Sequence, residues 1–396
     1  MISQDQLVGG RIKALCELLG VSRVRLAEMV GMSPAQVSKI ENGSQRMSPD
    51  IAATLARRYN VPLDFFVHHD PLTEAVVPTF RKKARARVAE QKRAVRLARE
   101  AARVFSRAST ESNYRPFEFT RDPDLLDDVE QVATEVRRAG GIGPEEPVPN
   151  VTRILERQGI AVINGLDPEG GDADAMTGIS LPTTHSQRPL VAIVNSAPGA
   201  VARFTLAHEA AHHIWDNDLP SPMTSTKDYR EKRAHRFAGT LLLPEKVVRK
   251  RITEGTTLRS CLPIKADYGL SVGSIIFRAR DLGVISPDRA RSLQIQLSSL
   301  GWRDPEIEPV EVASERPLLL KQALSRVTQL NGMALARYTG LPAHLVRYWM
   351  QLDPEPHDAP AAEIIELSAL RRRKPGLAPS PKEEGQGPTS PSGRTT

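Results

Sequence analysis

Cysteine is nearly absent. Cys16 and Cys261 are the only two in 396 residues, which excludes a disulfide framework and any zinc site built mainly of thiolates. A metal in this chain therefore needs histidine and carboxylate ligands. Long apolar runs are missing too: nothing approaches the roughly 18 residues of a membrane-spanning helix. The segment Met1–Gln6 lacks a basic start followed by an apolar stretch, so neither a membrane partner nor a signal peptide is expected, and the expected place is the cytoplasm. Aromatics make up only 5% against 40% hydrophobic and 26% charged residues, a composition that suits a helix-rich protein with real cores. At roughly 150 residues per domain the length implies two or three domains.

What is abundant is positive charge in one place. The net charge is +7, yet residues 79–107 hold Arg81, Lys82, Lys83, Arg85, Arg87, Lys92, Arg93, Arg96, Arg99, Arg103 and Arg107 against only Glu90 and Glu100. Such a stripe either neutralises phosphates or forms a solvated helix face, and sequence leaves both open.

The fold class expected is mainly α with a small α+β domain. Residues 1–67 read as a five-helix domain: Gln4–Leu19, Ser22–Val30, Ser33–Asn42, Ser48–Tyr59 and a stub at Leu63–Phe66. Ser22, Ser33 and Ser48 are N-cap residues, Pro34 and Pro49 take the first helical position, and Gln36 completes a capping box with Ser33. Residues 68–122 follow as a linker and a basic helix. A second compact region, 123–300, opens with helices, passes through strands at Ile160–Ile163, Met176–Leu181 and Leu190–Val194, and continues with helices at about 200–216 and 228–243. A Pro/Glu linker from Trp302 to Pro317 leads to a helical C-terminal region within 301–373, and 374–396 is expected to be a disordered tail.

Within 22–43 lie two helices, a turn glycine and a core stripe. Leu26, Val30, Val37 and Ile40 point inward, Ala27 permits close approach and Gly31 supplies the left-handed turn. Ser33, Pro34, Ala35, Gln36, Ser38 and Lys39 are left facing out. With Ile40–Gly43 and Val61–Phe66 behind it, residues 6–67 resemble the XRE/Cro-type helix-turn-helix repressor headpiece. The resemblance implies double-stranded DNA as partner, with Ala35, Gln36, Ser38 and Lys39 at the major groove, Arg23 and Asn42 by phosphates, and a homodimer on a two-fold operator. That would place the protein on the nucleoid. A weaker echo of Leu26–Met32 recurs at Leu335–Leu341, with Val346 standing where Val37 does.

His208-Glu209-Ala210-Ala211-His212 is an H-E-x-x-H pentad. Histidines four apart share one helix face, so both can reach one zinc ion while the intervening Glu209 stands ready as a general base. By chance such a pentad is expected on the order of 0.01 times in a chain of this composition. Glu231, on the next expected helix, is the best third ligand. Asp216, four residues after His212, is a candidate to orient it, and His213 is expected at the surface. Lys227, Tyr229 and Arg236 are candidates to stabilise an oxyanion. Met176–Leu181 or Leu190–Val194 are candidate edge strands for aligning a peptide.

Arg203–His212 and Glu231–Pro244 together read R-F-T-L-A-H-E-x-x-H and E-x-x-A-H-x-F-A-x-x-L-L-x-P, which resembles the ImmA/IrrE family of zinc metallopeptidases across about 79–300. The resemblance implies a zincin-like domain with a short sheet, Zn2+ on His208, His212 and Glu231, and Glu209 as catalytic residue. It also implies a protein substrate of the XRE repressor type, a partner or this chain's own headpiece. The family's usual Asn or Asp is replaced by His235, which either orients a ligand or closes the site as a further one. Two other classes stay open: a transcription factor whose zincin domain senses without hydrolysis, and a protease that uses the headpiece only for docking.

Overall fold

The computed structural model describes residues 2–82, 88–114, 116–117, 128–170, 176–182, 188–217, 219, 228–304 and 307–353. Its N-terminal helices start where hydroxyl caps put them: α1 at Arg11–Leu19, α2 at Arg23–Met29, α3 at Pro34–Glu41 and α4 at Pro49–Arg58. Ser22, Ser33 and Ser48 each accept a hydrogen bond from the backbone N–H three residues on, at 3.2, 3.2 and 3.3 Å, which satisfies a donor the helix itself leaves unpaired. The helix expected from Gln4 is interrupted, because Gln4–Gln6 is one 3-10 turn and Gly9-Gly10 separate it from α1. Gly9 is there for close approach: a Cβ would sit 1.9 Å from the Ile40 carbonyl oxygen of α3. Leu26, Ala27, Val37 and Ile40 are fully buried, and Gly31 turns the chain between α2 and α3 at φ 68.

The short helix α5, Pro71–Ala75, is followed by a strand that sequence reading missed. Thr79–Lys82 forms β1, and the basic helix begins only later, as α6 at Val88–Glu111. Then come α7 (Val129–Ala139), α8 (Val151–Arg157), β2 (Ala161–Asn164), β3 (Met176–Ser180), β4 (Leu190–Ile193), α9 (Gly199–Trp215) and α10 (Tyr229–Leu242). Helices α11 (Glu245–Arg251), α12 (Leu258–Tyr268), α13 (Val272–Asp281) and α14 (Pro287–Ser299) complete this part. The sheet order is β1-β3-β4-β2, with β1–β3 and β3–β4 antiparallel and β2–β4 parallel.

Side chains alternate across a strand, and here the alternation divides two cores. Val162, Val191 and Ile193 face α9 and the helices around it. Ala161, Ile163, Ile179, Leu190 and Ala192 face the opposite way, into a cluster that also contains Leu15 of α1, Leu26 of α2, Phe105 of α6 and Leu320 near the C-terminal end. The headpiece, α6 and one face of the sheet thus share a single apolar core, and the border expected at 67 runs through it, while the one expected at 122 lies outside the described residues.

The charge stripe is corrected in the same way. On α6, Arg96 and Arg103 are buried and their charges are spent inside the protein. Arg96 pairs with Glu17 of α1 at 2.7 Å, with Glu74 and, at 3.5 Å, with Glu100. Arg103 pairs with Glu100 at 2.9 Å, and Arg11 of α1 reaches the same Glu100 at 2.5 Å. Arg93 binds Asp167 at 2.7 Å, and Arg99 lies 3.7 Å from Glu74. Neither a phosphate track nor a solvated face describes these four arginines. The helix is the spine of the fold, not a linker.

Residues 302–317, expected as a linker, are a strap. Glu308 is buried against Lys265 at 2.7 Å, and Glu315 accepts the Val151 and Thr152 amides at 2.9 and 2.7 Å at the start of α8. Three helices follow: α15 (Leu319–Val327), α16 (Gly332–Thr339) and α17 (Ala343–Trp349). Their turn glycine, Gly340, has φ 69, matching Gly31, so the internal echo is a second helix-turn-helix in shape. One face of its last helix packs on the rest of the protein: Trp349 Nε1 donates to the Leu166 carbonyl at 2.8 Å, and Leu345 and Val346 are buried. Residues 354–396, including the expected tail, lie outside the described residues. No helix among the described residues is long and apolar enough to cross a membrane.

Candidate metal centre and nucleic-acid interface

Helix α9 carries the pentad through the middle of the second core. Its side chains are buried on nearly every face, and His208, Glu209 and His212 are 2%, 0% and 1% exposed. Helix α10 packs along it and brings Glu231 to the same point, with Glu231 Oε2 3.2 Å from His208 Nε2 and Oε1 3.6 Å from His212 Nε2. The three ligand atoms all lie within 4.8 Å of one another. Two atoms bound at about 2.05 Å to a tetrahedral zinc are roughly 3.3 Å apart, so this donor set fits such an ion. It is also the donor chemistry, two imidazoles and one carboxylate, that leaves a fourth position for water or substrate.

Around the three donors, further groups fix their orientation. His212 Nδ1 donates to Asp216 Oδ2 at 2.6 Å, so the proton resides on Nδ1 and the Nε2 lone pair faces Glu231. Burial lowers the His212 basicity, but the Asp216 hydrogen bond and the charges of Glu209, Asp216 and Glu231 outweigh it and raise the pKa above the ordinary histidine value. Asp216 is held in turn by Arg233 at 2.6 Å, whose guanidinium lies 5.2 Å from the Trp215 ring. Arg233 was not singled out from sequence, because its role appears only when α10 is laid on the end of α9.

His235 stands apart from the ligand set. Its ring packs between Phe204 at 4.8 Å and Phe277 at 4.3 Å, with its centroid 6.5 Å from that of His208. It walls the site and is not among the converging donors. His213, expected at the surface, is buried instead: its Nε2 lies 3.2 Å from the Leu190 carbonyl, and burial pushes its pKa down to about 4. It ties α9 to β4 as a neutral imidazole.

Glu209 meets β3. Ser180 Oγ donates to Glu209 Oε2 at 3.3 Å, and Thr79 Oγ1 of β1 lies 2.6 Å from Ser180 Oγ. Gly178 makes room for the carboxylate, since a Cβ there would come within 2.6 Å of Oε1. The candidate edge strands change: β3 and β4 are both flanked, and the edges are β1 and β2. Among the oxyanion candidates, Arg236 is 3.7 Å from Glu130 and Tyr229 is 64% exposed with Arg230 over its ring at 5.3 Å. Lys227 lies outside the described residues.

On the headpiece, Ala35, Gln36 and Lys39 of α3 are exposed together with Asn42 at its end, while Ser38 is half-buried. Arg23 is half-exposed and its Nε lies 2.9 Å from Glu41 Oε2, which holds it beside the end of α3. The Asn42 side-chain oxygen accepts the Ser44 amide at 3.0 Å and so stabilises the turn after α3.

Comparison with known proteins gives two family matches, a helix-turn-helix family over residues 12–66 and an IrrE N-terminal-like domain, a peptidase family, over residues 156–280. Similar curated proteins include uncharacterized HTH-type transcriptional regulators of Sinorhizobium medicae and Rhizobium meliloti. Each is 33% identical over 67 residues, 17% of this chain. The match spans about half, 48%, of the length of those relatives.

Proposed function

Because the chain carries a helix-turn-helix domain followed by an IrrE N-terminal-like domain, we propose that it is a DNA-binding transcriptional regulator with a zinc-dependent endopeptidase centre. The observation that carries the second half is the convergence of His208, His212 and Glu231 around one point, with Glu209 on the same helix. Those three would hold Zn2+, which when bound polarises a peptide carbonyl and makes water acidic enough to attack near neutral pH. The protein's own groups do the rest. Glu209 takes the proton and returns it to the leaving amine. Asp216 and Arg233 keep His212 in the tautomer that presents Nε2. Phe204, His235 and Phe277 pack ring to ring beside His208.

The substrate class we favour is a repressor-type helix-turn-helix protein other than this chain. Its own headpiece is a poor product to release, since Arg11, Leu15 and Leu26 belong to the core built on α6. The same shared core supports a second reading, in which the metal centre biases DNA binding without hydrolysis.

Elemental mass spectrometry of the purified protein should find about one zinc per chain, lost in Glu231→Ala and kept in Glu209→Gln. The wild-type protein should hydrolyse fluorescein-labelled casein and Glu209→Gln should not. A regulatory effect that survives Glu209→Gln would favour the sensor, and absence of zinc from the wild type after refilling would remove the peptidase.

A further inference from the structure

Three buried polar groups lie in line across the sheet and α9. Thr79 on β1, Ser180 on β3 and Glu209 on α9 are all 0% exposed, so each polar atom needs a partner inside the protein. Thr79 and Ser180 are direct partners in the antiparallel β1–β3 register, which places both hydroxyls on the α9 side of the sheet. If Glu209 is to act as a base it is ionised and can only accept. The Ser180 proton is therefore committed to Glu209 Oε2, and the 2.6 Å contact is completed by the Thr79 proton. The order of donation is fixed as Thr79 to Ser180 to Glu209, and each bond polarises the next.

Gly178, on the same face of β3 two residues before Ser180, leaves the space the carboxylate occupies: a Cβ placed there would come 2.6 Å from Oε1 and 2.8 Å from Cγ. One strand thus leaves room for Glu209 at 178 and holds it by a hydrogen bond at 180. We propose that Ser180, held by Thr79, is the positioning residue that fixes the plane of the Glu209 carboxylate for proton transfer, and that β1 is consequently part of the catalytic apparatus. This rests on the peptidase reading above. It assigns a task to the strand that joins the headpiece side of the chain to the sheet: without Thr79 the Ser180 hydroxyl loses its donor and gains freedom to turn away.

The test uses the full-length, zinc-loaded protein on fluorescein-labelled casein with Ser180→Ala, Thr79→Val and Thr79→Ser. Ser180→Ala should lower kcat about tenfold and Thr79→Val about threefold, with KM and zinc content unchanged, as expected for loss of orientation at the proton-transfer step. Thr79→Ser should restore the wild-type kcat, because it keeps the hydroxyl and drops only a methyl group. Equal losses in Thr79→Val and Thr79→Ser, or a rise in KM at constant kcat, would overturn the proposal. A second measurement needs no turnover: in metal-stripped protein, the fall in melting temperature caused by Ser180→Ala should be smaller in a Glu209→Ala background, where only the bond to Thr79 is left to lose. Additive falls would overturn the hydrogen bond itself. A wild-type protein that leaves casein intact would count against the peptidase reading, while the melting comparison still decides the link between Ser180 and Glu209.

Discussion

Asp216 earns its place through one hydrogen bond, 2.6 Å from His212 Nδ1, with Arg233 on its other oxygen at 2.6 Å. A carboxylate behind a ligating histidine fixes the tautomer and strengthens the donor, and removing such a partner weakens metal binding about 10–100-fold. Asp216→Asn should therefore loosen zinc by that order in competition with a chromophoric chelator. Arg233→Ala should do so by less, since Asp216 remains. On the headpiece, Lys39→Ala should make DNA binding less salt-dependent, read by gel retardation across a salt series. That His208 and His212 share one face was legible from their spacing, whereas Glu231, which converges with them, was marked only as a carboxylate on the next helix and by the family resemblance. Ser180, Thr79 and Arg233 were not legible, because each meets its partner across elements and no local pattern marks a serine in a strand as the neighbour of a distant glutamate.

Among the elements, α6 shows how charge counting fails. Its arginines were visible, but the acids that neutralise them, Glu17, Glu74 and Asp167, lie on other parts of the chain. On the helix itself Glu111 pairs with Arg107 at 2.9 Å, and Glu100 binds both Arg11 and Arg103. Burial pushes the Glu100 carboxyl up, yet the charges of Arg103, Arg11 and Arg96 more than reverse this and hold it down at about 2 against an ordinary 4.5. A carboxylate depressed in this way stabilises the fold above its unfolded pKa, and that contribution fades as pH falls from about 4.5 towards 2. The difference corresponds to roughly 3 kcal/mol. Glu100→Gln leaves two guanidinium groups poorly matched and should destabilise by about 3–5 kcal/mol in urea unfolding at neutral pH. Its stability should also vary less with pH between 4.5 and 2 than that of the wild type. Helices α2, α3 and α4, by contrast, were readable almost to the residue, because Ser22, Ser33 and Ser48 cap them by contacts only three residues long. β1 was missed because four residues beside a run of basic ones carry no period of their own; pairing with β3 is what makes them a strand.

For the whole molecule, the decisive feature is that one apolar core runs from α1 and α2 through α6 to the sheet and α15. Arg11 donates both to the Phe65 carbonyl at 2.8 Å within the headpiece and to Glu100 on α6, and Arg103 continues to the Thr339 carbonyl of α16 at 2.6 Å. Helix α3 of the headpiece and helix α9 with its His208, Glu209 and His212 are thus attached to opposite sides of the same sheet and spine. A peptide bond cut between β1 and α6 would sever the chain but none of these contacts. If a recognition site for an added protease is inserted after Lys83 and cleaved to completion, the two fragments should co-elute as one species in size-exclusion chromatography without denaturant, and should part only in urea. DNA binding by the nicked protein should match that of the intact one, because α3 and its supports are all on the first fragment and remain docked on the second. Separate elution under native conditions would show that the headpiece is an independent domain after all, and would return self-cleavage to contention as the means of ending repression.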